Sequence, residues 1–233
     1  MSVALAAVST GPARRPRGGD RRRAPTAPLV TRPFDAGELY TGRRRLDAIL
    51  RDLARRDPAT ARHSAAVARY AHELAAATGA AAPRRRLVHV AALLHDVGKL
   101  NVPRSILQAA GPLSELDWAI IRCHPAAGAE LVARLPGCES IAQAIRHHHE
   151  WIDGSGYPGG LAGAEIPWAS RVISVADAYE AMTARDSYAQ RKSRAAAVAE
   201  LQRVAGRQLD AALVEHFVDL VAAQHPGRRR ASV

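Results

Sequence analysis

No stretch of this 233-residue chain alternates apolar and polar residues with period two, whereas apolar stripes at helical spacing recur from Arg43 to about Gln224. A half-buried strand needs the first pattern and an amphipathic helix the second. The spacing therefore predicts an all-α fold of about seven to nine helices. Composition agrees, because aromatics are only 4% while Ala, the strongest helix former, is abundant. A chain of this length can fill one well-packed core.

Local signals divide the pattern into elements. Leu46, Ile49, Leu50 and Leu53 form a first stripe. Asp57-Pro58 reads as an N-cap followed by Pro at the first helical position, and Gly79 stops that helix after Thr78. His63, Val67, Tyr70 and Leu74 share its inner face. Pro83 opens a helix that turns Leu87, Ala91 and Leu94 inward and closes at His95-Asp96, where Gly98 breaks it. Pro103 to Leu107 makes one short turn. Ser114 and Asp117 resemble a capping box, opening a helix to about Arg122. His124-Pro125 starts the next, which ends near Gly137. Ile141, Ala144, Ile145 and His148 lie on one face of a helix running into the Gly-rich loop Trp151 to Gly160. Pro167 precedes a long apolar helix, 168–184, that carries Asp177. Ser193 and Asp210 cap the last two.

The ends differ from the body. Residues 1–42 are rich in Arg and Pro and read as a disordered tail. Residues 43–225 form the helical domain and 226–233 a basic tail. Seven Arg against Asp20 in residues 1–32, with Arg228 to Arg230, carry nine of the eleven net positive charges, so no basic groove across the domain is implied. Such tails touch nucleic acid or anionic membrane in some proteins and are solvated ends in most. Cys123 and Cys138 suggest a reducing compartment without disulfides. No run reaches membrane-spanning length, and the expected location is the cytoplasm. No receiver or sensor domain fits in residues 1–42, so regulation is expected from a signalling protein partner, the tails or expression.

The chemistry lies in polar residues set on apolar stripes. His63, His95, Asp96, His124, His148, His149 and Asp177 recur along one helical domain, with Lys99 beside them. Adjacent His and Asp on a helix point about 100° apart and cannot share one apolar stripe. A buried carboxylate is costly without a cation, and Asp177 sits within the apolar segment Val172-Ile173-Ser174-Val175-Ala176-Asp177-Ala178. Imidazole with carboxylate suits Fe, Mn, Zn, Co or Ni rather than Ca or Mg. Two metals need a bridging carboxylate, and Asp96 lies mid-set. Paired metals activate a hydroxide for in-line attack on phosphorus, with Lys99 neutralising a phosphoryl oxygen. Taken singly, each residue has an ordinary reading: His63 as a satisfied core His, His124 as a helix-start residue, His147 to His149 as an exposed run.

The ordered set resembles the HD-GYP domain, a branch of the HD superfamily of metal-dependent phosphohydrolases. Leu93-Leu94-His95-Asp96-Val97-Gly98-Lys99 is similar to the HD signature. His148-His149-Glu150 through Asp153-Gly154-Ser155-Gly156-Tyr157-Pro158 is similar to the segment that names the family. Arg62-His63-Ser64, His124-Pro125 and Arg171 to Asp177 follow in the family's order. The resemblance implies an all-α HD-superfamily domain and a centre of two or three metals, often iron or manganese. It also implies hydrolysis of cyclic di-GMP to pGpG or GMP, with Asp96 and Lys99 catalytic and the Tyr157 loop shaping the substrate site.

The departures bear on substrate. Ala59 stands one turn before His63, where some members hold a third metal with Glu, so two divalent transition metals are expected. Either both His148 and His149 ligate, or one of them supports the ligands from behind or contacts substrate. Asp186 and Ala189 occupy positions where the family carries basic phosphate ligands. Arg185, Arg191 and Lys192 are the candidate substitutes, with Tyr157 as a further substrate contact. Ala109-Ala110-Gly111 replaces Lys-Pro-Gly, Trp151 replaces an Arg, and Glu180 replaces a second Asp. The leading expectation is a cyclic dinucleotide phosphodiesterase, with the altered Asp186 region shifting weight from cyclic di-GMP toward pGpG, another cyclic dinucleotide or a different phosphate ester. A catalytically weak module binding metal and a nucleotide or protein partner is the alternative, then a nucleic-acid binder acting through its tails. A homodimer fits any of these.

Overall fold

The computed structural model describes residues 36–109, 111–184 and 191–224, the first eight by backbone alone. The two tails outside these bounds, and Arg185, Asp186 and Ala189, lie outside the described residues. The helices are α1 (Ala36–Arg56), α2 (Pro58–Ala77), α3 (Ala82–Leu94), the single turn α4 (Arg104–Leu107), α5 (Glu115–Arg122) and α6 (His124–Ala133). They continue as α7 (Glu139–Arg146), α8 (Trp168–Thr183), α9 (Arg194–Val204) and α10 (Ala211–Gln224). Short 3-10 turns span Val97–Asn101 and Gly163–Glu165. There are no β-strands among the described residues, and no helix there is long and apolar enough to cross a membrane.

The expected start signals form. Asp57 Oδ1 accepts from Thr60 N at 3.0 Å and Ser114 caps α5 reciprocally with Asp117. Ser193 and Asp210 accept from the amides three residues on. Each such cap contributes about 1 kcal/mol. Gly79 ends α2 with φ +77°.

Three details differ from the sequence reading. Helix α1 starts at Ala36, seven residues ahead of its apolar stripe. Gly37 and Gly42 each weaken helix preference by about 1 kcal/mol, which hides this turn from a propensity argument. Helix α7 stops at Arg146, so His148 lies in a turn rather than on the helix face. Gly98 is not the breaker of α3, which ends four residues earlier at Leu94. Its role is spatial: a Cβ there would sit 2.0 Å from His124 O and 2.7 Å from Gly128 N. The 3-10 turn meets α6 backbone to backbone.

Two apolar clusters frame the molecule. One joins α2, α3, α8, α9 and α10 through Val67, Leu74, Val88, Ile173, Leu201 and Phe217. The other joins α3, α6 and α7 through Leu94, Val97, Val132 and Ile145, covered by Leu46, Ile49 and Leu50 of α1. Full burial of each Leu, Ile or Phe contributes about 1.5–3 kcal/mol. Helix α3 belongs to both clusters, and its C-terminal end carries His95-Asp96. Helix α8 is buried on every side through its centre, from Val172 to Met182 save Ser174. An α-helix of that kind lies inside a fold, so Asp177 is carried into the interior with it.

Candidate metal centre

The seven expected His and Asp side chains meet at one centre. Their ligand atoms form three overlapping groups: His63, His95 and Asp177; His95, Asp96 and His148; His124, His148 and His149. Within each group the atoms lie within 4.8 Å of one another.

Adjacent residues converge because the chain leaves helical geometry where they sit. His95 keeps helical angles, but Asp96 turns to φ −97°, ψ 5°. His148 and His149 lie in a turn with ring centroids 4.0 Å apart. A continued helix would have splayed each pair by about 100°.

Three of the histidines are oriented by one local device. Each follows the end of a helix, where carbonyls lack intrahelical partners. His95 Nδ1 donates to Ala92 O at 2.7 Å, His124 Nδ1 to Ile121 O at 2.7 Å, and His148 Nδ1 to Ile145 O at 2.6 Å. With Nδ1 protonated in a neutral ring, Nε2 presents its lone pair inward, the arrangement that metal-ligating His adopts. His63 is held differently: its Nδ1 is paired with Glu180 Oε2, and its Nε2 approaches Asp177 Oδ1 at 3.0 Å without hydrogen-bond alignment.

The Nε2 atoms of His63, His95, His124 and His148 are buried without a hydrogen-bond partner. These four ring nitrogens converge with two buried carboxylates, and such a set of imidazole and carboxylate donors suits a divalent transition metal. The residues present therefore fit such a metal.

Asp96 has the geometry of a shared ligand. Its Oδ1 faces His124 Nε2 at 3.1 Å. Its Oδ2 faces His95 Nε2 at 3.4 Å, His63 Nε2 at 3.7 Å and Lys99 Nζ at 2.6 Å. Burial would raise its pKa, but Lys99 and His95 hold the carboxyl well below the usual carboxylate range. Asp177 is likewise lowered, with burial opposing and His63 favouring the charged form. Burial pushes His124 and His148 down, and pushes His149 down to about 3, so all three are neutral near pH 7. Burial also opposes the charge on His63, but Asp177, Glu180 and Asp96 prevail and raise it to about 10.

Tyr157 closes one side. Its ring stacks on His149 at 5.0 Å and 25° and rests on the Val102–Ile121 cluster. Its hydroxyl oxygen is buried without a hydrogen-bond partner. Such an orphan costs about 1–3 kcal/mol, which an acceptor on a ligand would recover. Arg191 and Lys192 instead line a separate cavity of about 400 Å³ with Tyr70, Tyr179, Thr183, Ser193 and Arg194, none of them in the metal set. Arg185 lies outside the described residues. Ala59 presents a methyl one turn before His63 on α2.

Three residues were not singled out as functional in the sequence. Glu180 is read there only as a departure, yet it orients His63 from across the fold. The signal was its spacing from Asp177, three residues on and on the same helix face. Ser174 Oγ donates to the carbonyls of His148 and Ser170, tying the His148 turn to α8. Glu150 is fully buried and accepts from two loop amides. Glu150 lies within the His148-His149-Glu150 motif, whereas no local pattern marks Ser174.

Relatives share this sequence and fold. A 3′3′-cGAMP-specific phosphodiesterase of Vibrio cholerae is 37% identical over 133 residues, covering 57% of this chain and 29% of the relative. A cyclic di-GMP phosphodiesterase response regulator of Xanthomonas campestris is 33% identical over 175 residues, covering 74% of this chain and 46% of the relative. The chain thus spans less than half the length of these curated relatives. Among solved structures, an HDG"Y"P protein from Bdellovibrio bacteriovorus has the same fold, with a TM-score of 0.59 and 24% identity over 71% of this chain and 53% of that one. The HD domain model matches residues 48–213, a range that contains the candidate ligands from His63 to Asp177, and the chain belongs to the HD domain family.

Proposed function

We propose that this chain is a metal-dependent phosphodiesterase acting on a cyclic dinucleotide, such as cyclic di-GMP, to give pGpG or GMP. The observation that carries the reading is the carboxylate of Asp96, with one oxygen toward His124 and the other toward His95 and His63. Two divalent ions fit this arrangement. His63, His95, Asp96 and Asp177 would hold one, and Asp96, His124, His148 and His149 the other. Iron or manganese suits the mixed His and carboxylate set best, with zinc, cobalt and nickel as lesser fits. When bound, the metals supply Lewis-acid activation of water and neutralise phosphoryl charge.

The chain's own groups do the rest. Lys99 holds Asp96 in place and adds positive charge beside the phosphoryl group. The Tyr157 hydroxyl donates to a phosphoryl oxygen, gaining the acceptor it lacks. Arg191 and Lys192 attract the second phosphate from their own cavity. The chemistry named for the two curated relatives supports a cyclic dinucleotide, and a cytoplasmic location suits that substrate class.

The test is turnover by anaerobically purified, manganese- or iron-loaded protein. Cyclic di-GMP, 3′3′-cGAMP and bis(p-nitrophenyl) phosphate are assayed side by side. Hydrolysis of a cyclic dinucleotide is expected. Turnover of the generic diester alone would keep the chemistry and remove the substrate, and loaded protein inert toward all three would overturn the reading.

A further inference from the structure

The Glu150 carboxylate ties down the tip of the loop that carries Tyr157. Its Oε1 accepts from Gly159 N at 2.6 Å and its Oε2 from Leu161 N at 3.1 Å. The side chain is fully buried, and it belongs to none of the metal-ligating groups. The loop folds back onto this residue closely: a Cβ on Gly156 would lie 2.3 Å from Trp151 N and 2.6 Å from Glu150 Cα. In the same fold-back, Tyr157 N donates to His149 O at 3.1 Å, and the ring lies on the His149 imidazole.

The base of the loop is secured without Glu150. Ile152 N bonds Gln208 O at 3.2 Å, Asp153 N bonds Arg207 O at 2.9 Å, and Gly163 N bonds Ile152 O at 3.0 Å. Losing the Glu150 bonds would therefore release the tip and leave the anchored ends in place.

We propose that Glu150 is a positioning residue that sets the Tyr157 hydroxyl against the substrate by clamping the amides of Gly159 and Leu161. It touches neither metal nor substrate and acts through the loop. A carboxylate suits the task because it offers acceptors alone. A glutamine would turn an NH2 group toward one of two N–H donors. The part concerning substrate rests on the phosphodiesterase reading, whereas the clamp does not.

The experiment compares Glu150→Gln, Tyr157→Phe and the double variant as metal-loaded full-length protein. Tyr157→Phe keeps the stacked ring and removes the donor, so kcat should fall about a hundredfold. Glu150→Gln should lower kcat by about tenfold or more while metal content stays at the wild-type value. If Glu150 acts only through Tyr157, the double variant matches Tyr157→Phe, because the effects do not add. Amide exchange at Gly159 and Leu161 should speed up in Glu150→Gln, and the ring-current shift of the His149 Cε1 proton should collapse in the metal-free protein. Additive losses, unchanged exchange, or loss of metal in Glu150→Gln would each overturn the proposal. If Glu150→Gln does not fold, Glu150→Asp poses the same question, since its shorter side chain keeps the charge and cannot reach both amides. Should wild-type protein hydrolyse no diester, the functional reading has failed, and the exchange and proton-shift data still decide the clamp.

Discussion

Replacing Gly98 by Ala should take apart the metal centre without touching a ligand. The added Cβ would stand 2.0 Å from His124 O, 2.7 Å from Gly128 N and 2.8 Å from His124 C. All three are backbone atoms, so no side chain can rotate away. An ordinary carbon–oxygen contact is about 3.3 Å, so the 3-10 turn and the start of α6 must part by about 1.3 Å. Asp96 lies two residues before Gly98, and His124 carries the clashing carbonyl. Their 3.1 Å contact is therefore the one forced open. Overpacking of this kind costs about 3 kcal/mol, a fall in Tm of about 6–12 °C for a domain of this size. A displacement of about 1 Å at reacting groups costs roughly a hundredfold in rate. Calorimetry and metal counting check both consequences. Gly79→Ala is the control, since it has open space but φ +77°; it should cost about 1 kcal/mol and keep its metal. A Gly98→Ala protein with wild-type Tm and full metal content would refute the reasoning.

Other perturbations test separate contacts. Glu180→Gln removes the anion that orients His63, so metal affinity measured by chelator competition should fall about 10–100-fold with the fold intact; unchanged affinity would count against that role. Adding metal at about 100 times its Kd should stabilise the protein by about 2.7 kcal/mol, seen as a higher Tm that a chelator reverses. In the metal-free protein His63 holds its proton up to about 10, and a ligating ring must give it up. Metal affinity should therefore rise with pH, about tenfold per unit between pH 7 and 9 for one proton released. Calorimetric titration in two buffers of different ionisation enthalpy reads that proton, and identical heats in both would contradict it. Ser174→Ala should cost about 1 kcal/mol in a denaturant titration and lower metal affinity through the His148 turn.

What could be read ahead of the structure follows from the range of each interaction. Caps such as Asp57, Ser114, Ser193 and Asp210 act on amides three residues away, so their sequence signals locate helix starts. His63, His95, Asp96, His124, His148, His149 and Asp177 stood out because each is polar on, or at the end of, an apolar stripe. What stayed hidden depends on contacts that local periodicity does not encode. Glu180 meets His63 across 117 residues of chain. Gly98 looks like a helix breaker by type, and only the approach of α6 shows that it provides space. His148 continues the stripe of α7 on paper, yet the helix ends at Arg146 with His147 out of helical angles, which the stripe does not show. Arg191 and Lys192 fit a phosphate-binding role by charge, but charge alone does not show that they line a cavity of their own beside Tyr70 and Tyr179.

The role proposed for Asp96, a ligand shared by two metals, is tested most directly by counting metal in anaerobically purified wild-type protein and in Asp96→Ala, with circular dichroism confirming that both are folded. Two divalent transition metals per wild-type chain are expected, both missing from the variant. A folded Asp96→Ala protein that kept its metals, or a wild-type protein that bound none when offered manganese or iron, would contradict it.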